Sequence, residues 1–286
     1  MVSTTECKDN RSYMFAGKDQ RYTIIVCRSD RSNKSGFIEM PESADLIEAV
    51  TEVYLGVYPE RNRDLSRARV RKSLSYPRTT LMLAEHQGKP VGFGIFPRLL
   101  INGHIDREPV PVLYSSRGFL SEHERQGLGT HVLEEAIRLH QEELWRSHRS
   151  LRWVAFMTMN PHSVASLWKL PMVGETWPIK KPADDQEKPT VNYYLQDSTQ
   201  QHIMLGVHSR VYMSSESIST RTGVSEGELR ELGMNETYRP SPDQRLPYDI
   251  HQIMVHQLGM NREKGDVVYM TAEVKQPGES PLDHLA

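Results

Sequence analysis

The chain has 286 residues, 37% of them hydrophobic and 25% charged, with a net charge of −2 at pH 7. That length buries most of its apolar surface on folding, as one elaborated domain or two small ones, while so small a net charge excludes a whole-molecule field that would gather nucleic acid or a membrane surface. Two cysteines, Cys7 and Cys27, are too few for a disulfide scaffold and lack the spacing of a zinc site, so no metal is expected.

The N-terminal stretch MVSTTECKDNRSYMF has no apolar signal region, and no apolar run reaches membrane-spanning length, so a cytoplasmic protein is expected. The first twenty residues are polar and read as loose. RYTIIVCR (Arg21 to Arg28) reads as a strand and SDRSNKSG as a loop. A helix starts at Ser43, with Leu46, Ile47, Val50, Val53, Tyr54 and Val57 at helical spacing, and Pro59 stops it. Glu60 to Arg78 carries seven basic residues against two acidic ones and reads as a second helix, with Leu65, Ala68, Val70 and Leu74 as its apolar side. Its charge suits either a solvated face or a rim that draws in an anionic ligand or partner. Thr80 to His86 and Pro90 to Arg98 flank QGK as a hairpin. Pro109 to Leu120 is a further strand, whose prolines and Gly118 suggest an edge, bend or bulge rather than a regular central strand.

A helix follows Gly127, with Leu128, Val132, Leu133, Ala136, Ile137 and Leu139 as its apolar stripe, and runs to about Ser147. Leu151 to Met159 is a buried strand and Pro161 to Leu170 a short helix. Pro178 to Pro189 reads as a linker. Beyond it TVNYYLQ, HIMLGVHSRVYM and GDVVYMTAEV read as strands. Two helices complete the region: one from Ser225, with Glu228 in capping-box position and Gly233 as its stop, and one from Tyr248 to Leu258. QPGESPLDHLA reads as a frayed tail.

The chemistry concentrates in SEHERQGLGTHVLEEAI, Ser121 to Ile137. A glycine turn that opens a helix after a strand presents unpaired N–H groups and the positive end of the helix dipole, which suits an anion. Gly127 and Gly129 lack a Cβ and let a phosphate approach the backbone. The spacing is neither the three-glycine dinucleotide fingerprint nor a P-loop.

FLSEHERQGLGTHVLEEAI resembles the coenzyme-binding motif of the Gcn5-related N-acetyltransferase (GNAT) superfamily, in which a strand ends in Val-x-Pro-Glu-x-Arg-x-x-Gly-x-Gly and leads into a helix. Phe119 takes the apolar position, Glu122 the glutamate, and Gly127 and Gly129 the glycines. Glu124 stands where the family has Arg or Gln, and Arg125 comes one place late. Downstream, MNPHSVASLWKLPMVGE is similar to the second signature, Asn-x-x-Ala-x-x-Leu-Tyr-x-x-Leu-Gly-Phe. Asn160 takes the asparagine, Ser163 the alanine and Leu170 the leucine, Pro171 and Met172 replace Gly-Phe, and Leu167 aligns with the tyrosine, next to Trp168.

The resemblance spans roughly Gly36 to Trp177. It implies a mixed α/β (α+β) fold, with a mostly antiparallel central sheet, a splayed strand, flanking helices and an elaborated C-terminal region. The domains expected are an N-terminal extension with one strand (1–36), an acyl-CoA-binding core (37–180) and a C-terminal extension (181–286) that completes the sheet or stands apart. Acetyl-CoA is the implied co-substrate, held by Phe119, Leu120, Arg125, Gln126, Gly127, Leu128, Gly129, Thr130, Asn160, Ser163 and Trp168. The implied activity is N-acyl transfer, of an acetyl or other short acyl group, to an amine of a small-molecule or peptide acceptor by direct attack in a ternary complex. A non-catalytic acyl-CoA sensor, and an acyltransferase fed by an acyl carrier protein docking on Arg61 to Arg78, are the alternatives.

Acyl transfer from a thioester needs an uncharged amine, a polarised carbonyl and a leaving thiolate. Glu85, His86 and Glu122 are the candidate bases, and Tyr193 or Tyr194 a displaced acid. Tyr114, Ser115 and Ser116 on the bent strand face either the acceptor or the core. His251 and His256 are five apart and off a common helix face, and no G-x-S-x-G elbow is present. A homodimer through the long C-terminal region is open.

Overall fold

The computed structural model describes residues 11–29, 43–59, 61–102, 109–183, 187–192, 198–211, 218–219, 221–226 and 242–276. The chain folds as two compact units, one of residues 1–99 and 113–142, the other of residues 100–112 and 143–286. Its architecture is mixed α/β, with antiparallel strand pairing and flanking helices.

The first unit starts with β1 (Arg11–Ala16) and β2 (Arg21–Arg28), then α1 (Ser43–Val57) and α2 (Arg63–Leu74). β3 (Thr79–His86) and β4 (Lys89–Asn102) form the expected hairpin. Gln87 (φ 52°) and Gly88 (φ 74°) carry the positive φ values of a tight hairpin turn. β5 (Pro109–Tyr114) and β6 (Ser116–Phe119) are one sequence strand broken at Ser115, which fulfils the expected bend. α3 (Leu128–Trp145) follows.

Period-2 alternation sorts this sheet into two faces. Ile25 lies opposite Leu83, Cys27 opposite Leu81, Leu81 opposite Ile95 and Leu83 opposite Phe93. These residues form one core with Leu46, Ile47, Val50, Val53 and Tyr54 of α1 and with Val70 and Leu74 of α2. α3 packs on the other face, where Thr80 Oγ1 lies 3.0 Å from the buried His140 Nε2.

Two expectations fail in this unit. α2 buries Ser66, Val70 and Leu74, four residues apart, whereas Leu65 is 55% exposed and Ala68 is exposed too. A helix against a sheet needs only one narrow row, and this row begins with a serine that the hydrophobic reading passes over. Residues 11–16, read as loose, form β1, paired with β2 from Arg11 opposite Val26 to Ala16 opposite Arg21. Tyr13 and Phe15 alternate with exposed Ser12, Met14 and Ala16, a two-residue pattern too short to announce a strand by itself.

In the second unit β12 (Val267–Val274) pairs with β7 (Trp153–Thr158), β8 (Val173–Trp177) and β11 (Val224–Ser225). β9 (Ile179–Lys180), within the expected linker, and β10 (Thr190–Val191), the start of the strand expected over TVNYYLQ, form a separate two-stranded sheet. α4 (Pro161–Trp168), α5 (Ser198–Val211) and α6 (Arg245–Gln252), which continues as a π-helical stretch Ile253–Gln257, are the helices. α6 with its continuation answers the helix expected from Tyr248.

α5 overturns the strand expected over HIMLGVHSRVYM. Ile203, Met204, Val207 and Val211 are buried at helical spacing, and His208 Nδ1 reaches Tyr269 Oη at 2.8 Å. Packing against β12 selects the helical period over the β-branched local composition. Val224 and Ser225 are strand rather than helix start, lying opposite Val268 and Val267. Most of that expected helix, with Glu228 and Gly233, lies outside the described residues, as do Tyr193, Tyr194, Cys7 and the C-terminal tail.

Candidate functional site

The geometry of the first unit converges on one end of its sheet. β6 pairs with β4 alone, Phe119 opposite Gly92 and Arg117 opposite Gly94, and among the described residues no strand lies on its other edge. That is the splayed strand expected beyond the bend. Buried Ser115, at the break itself, has a side-chain oxygen without a hydrogen-bond partner.

From β6 the chain passes through a single 3₁₀ turn, Ser121–His123, into the glycine turn. Arg125 (φ 63°) and Gly127 (φ 84°) both adopt the left-handed conformation, which costs the arginine of order 1 kcal/mol. α3 begins directly afterwards, and its first intrahelical bond runs from His131 N to Gly127 O at 3.0 Å. Helix geometry therefore leaves the N–H groups of Leu128, Gly129 and Thr130 without intrahelical acceptors. The glycines earn different explanations. Gly127 is required by its own backbone. Gly129 is not: its φ is ordinary, and a Cβ there would meet Phe119 at 3.5 Å and Arg117 Nη1 at 3.8 Å, normal contact distances.

Three titratable side chains stand around the turn. Arg117 Nη1 donates to Gly129 O at 2.5 Å, and burial lowers its pKa to about 10, so it stays a cation at neutral pH beneath the turn. Burial raises the carboxyl pKa of half-buried Glu124, against the opposing pull of Arg125. Burial also lowers the pKa of His131, in the first turn of α3, opposed by Glu134.

Phe119, Leu120, Arg125, Gln126, Gly127, Leu128, Gly129 and Thr130 thus lie together along β6, the turn and the first turn of α3. The Gln126 carboxamide faces the β1–β2 turn, where Asp19 N donates to its Oε1 at 2.9 Å. Glu85, half-buried, is the penultimate residue of β3 and lies opposite Pro90 at a bulge. Glu122 is exposed and accepts from Ser121 Oγ at 3.3 Å. His86 Nδ1 lies 2.9 Å from Arg21 O. Its ring is 5.3 Å from that of His123, whose Nδ1 lies 3.2 Å from Tyr22 Oη and 3.0 Å from Gln20 Oε1.

Asn160, Ser163 and Trp168 belong to the second unit. Asn160 caps α4 by accepting from His162 N at 2.9 Å, and Ser163 lies in the first turn. Trp168 is 4% exposed, and its indole N–H donates to Thr176 Oγ1 at 3.1 Å. Leu167, at the aligned tyrosine position, is fully buried. Both side chains are buried in the second unit.

The basic segment is partly neutralised. Arg63 pairs with both Glu48 and Glu52 of α1, and Arg67 with Glu48 at 3.7 Å. Among the described residues no group of three or more His, Cys, Asp or Glu is placed to hold a metal ion, and no helix is long and apolar enough to cross a membrane.

Sequence reasoning missed Arg117, His131 and the contacts of the β1–β2 hairpin. For Arg117 a signal existed, because by alternation it shares one face of β6 with Phe119. For the hairpin none did, since its partner Gln126 is 107 residues from Asp19.

No family model matches the chain, and no curated protein does. Among solved structures it is similar to the GNAT domain of the S. lividans protein PAT, at 12% identity over 61% of this chain and 92% of that one, with a TM-score of 0.39. A putative phosphinothricin N-acetyltransferase is 14% identical over 58% and 93% of the two chains, with a TM-score of 0.37. The aminoglycoside N-acetyltransferase AAC(6')-Iy, solved in complex with CoA, is 15% identical over 46% and 72%, with a TM-score of 0.29.

Proposed function

We propose that the chain is an N-acyltransferase of the GNAT type, which binds acetyl-CoA or another short acyl-CoA and passes the acyl group to an amine. The observation that carries this reading is Gly129. The fold has room for a side chain at a helical position, yet the residue is glycine, at the open N-terminus of an 18-residue helix. An approaching ligand supplies the reason that packing does not.

The donor set fits a pyrophosphate. The N–H groups of Leu128, Gly129 and Thr130 point out of the helix start, Gly127 is exposed, and Arg117 adds positive charge below. The edge of β6 on which no described strand lies offers a peptide-like arm N–H and C=O groups in extended register. Bound there, the coenzyme supplies a thioester whose acyl carbon accepts an amine, the C–N bond forming as the C–S bond breaks. We keep Glu85 and Glu122 as candidate bases, with Tyr193 as candidate acid.

Calorimetric titration with CoA and with the Gly129→Ala variant tests the reading. The variant should keep or raise the melting temperature, since Ala replaces Gly in a helix at a gain of about 0.5–1 kcal/mol. It should also weaken CoA binding about tenfold or more. Absence of CoA binding by the natural chain up to millimolar concentration overturns the donor assignment.

A second reading, a non-catalytic acyl-CoA-binding module, is favoured by Leu167 and Trp168, which leave the aligned acid position without an ionisable group. Thiol release from acetyl-CoA across a panel of amines separates the two, because the module stays at background. The carrier-protein donor is the weakest of the three, given that Arg63 and Arg67 are already paired.

A further inference from the structure

We propose that the β1–β2 hairpin is a positioning element for the glycine turn, and that Gln126 belongs to the hairpin interface rather than to the ligand. This rests on the reading of that turn as a pyrophosphate site. Three separate contacts join the two segments. Gly17 N donates to Gln20 O at 2.8 Å and closes the β1–β2 turn. That turn grips Gln126 from both sides: Asp19 N donates to Gln126 Oε1 at 2.9 Å, and Gln126 Nε2 donates to Asp19 Oδ2 at 3.4 Å. Gly17 lies so close that a Cβ on it would meet the Gln126 carbonyl oxygen at 3.0 Å. Gln126 thus has its amide oxygen, its amide nitrogen and its backbone all against the hairpin.

The second contact is aromatic. Phe15 stacks on the His131 ring at 4.2 Å and 12°, and its Cζ lies 3.7 Å from where a Gly127 Cβ would stand. The third is polar, along the same strand face. Tyr13 Oη lies 3.0 Å from His131 Nε2, and Arg11 pairs with Glu135. Residues 11, 13 and 15 of β1 therefore meet residues 131 and 135, one turn apart on α3.

The mechanical consequence concerns residues 125 to 130. Arg125 and Gly127 are held in left-handed conformations, which for an arginine persist only when surrounding structure fixes them. The hairpin holds the residue between them and the helix turn after them. It thereby fixes the direction of the N–H groups that a pyrophosphate would use, without touching that ligand. A fixed donor array spares the ligand the ordering of a loop on binding.

The test uses the full chain with Gln126→Ala and Phe15→Ala, and Met14→Ala as the control, since Met14 is 64% exposed on the opposite side of β1. Calorimetric Kd values are measured for CoA, 3′-dephospho-CoA and pantetheine. Both hairpin variants should weaken CoA and dephospho-CoA about tenfold alike, because both carry the pyrophosphate, and leave pantetheine within twofold. Parallel weakening of pantetheine, or unchanged CoA affinity in Gln126→Ala, overturns the proposal. Amide exchange of Leu128, Gly129 and Thr130 in the ligand-free chain is the independent readout, and should accelerate in both variants but not in Met14→Ala. If the natural chain binds no CoA, the acyltransferase reading fails, and the exchange rates alone decide whether the hairpin positions the turn: unchanged rates overturn it.

Discussion

Glu124 is the residue that sits worst beside an anion site, since a carboxylate next to a pyrophosphate repels it. Burial raises the Glu124 carboxyl pKa, against the pull of Arg125, so its charged form is held at a cost in this turn. Replacing the carboxylate with its neutral isostere should then leave CoA affinity unchanged or improve it, so Glu124→Gln is expected to bind at least as tightly as the natural chain. A marked loss on titration would mean that the phosphates lie elsewhere. Gly127 makes the opposite prediction. At φ 84° an alanine is strained by about 1–2 kcal/mol, so Gly127→Ala should lower the melting temperature and weaken CoA together. Set beside Gly129→Ala, which should weaken binding alone, the pair separates a glycine that the turn needs from one that the ligand needs.

Elements differed in how far local pattern revealed them. α1, α3, β2, β3, β4 and the break at Ser115 follow from apolar spacing, Gly and Pro, because each carries its own periodicity and its own stops. β1 and α5 were not legible: β1 has only Tyr13 and Phe15 as an alternating pattern and gains its state by pairing with β2, while α5 packs on Tyr269, far along the chain. The candidate site divides the same way. The glycine turn could be read from Gly127 and Gly129, whereas Arg117 and the Gln126 anchor emerge only when β6 and the hairpin close on it. α2 shows what packing adds to composition. Its strong basic charge and weak apolar content suggest a surface helix, yet Leu74 is fully buried in the core with α1. Leu74→Ala should therefore cost about 2–5 kcal/mol in urea unfolding, while Leu65→Ala, on the exposed side, should stay within about 0.5 kcal/mol. Equal effects would place α2 differently from the geometry seen here.

At the scale of the whole molecule, the histidines around the turn tie stability to pH. Burial lowers the pKa of His131, and burial with the nearby His86 lowers that of His123, in each case against a glutamate that pulls the other way, Glu134 and Glu122 respectively. Both are neutral in the folded state where an unfolded chain would already be taking up protons. A lowered folded pKa means that the unfolded state binds more protons in the interval between the two values. The stabilising contribution is complete above the unfolded histidine value of about 6.5 and drains away as pH falls through the folded values. Glu124, with its raised pKa, works in the other direction, its contribution growing as pH falls through its folded value toward the unfolded one. The groups that face the histidines are Tyr13, Phe15 and Glu134 at His131, and Tyr22, Gln20, His86 and Glu122 at His123. Urea midpoints measured from pH 8 to pH 5 should decline below about 6.5, and the double variant His123→Gln, His131→Gln should flatten the decline. A natural chain whose midpoint holds level to pH 5, or a double variant that declines as steeply, would show that these rings are not what the fold loses in acid. Since His131 joins α3 to β1 and His123 lies against Tyr22 of β2, the first structure to loosen should be the hairpin, visible as earlier amide exchange in β1 than in β3.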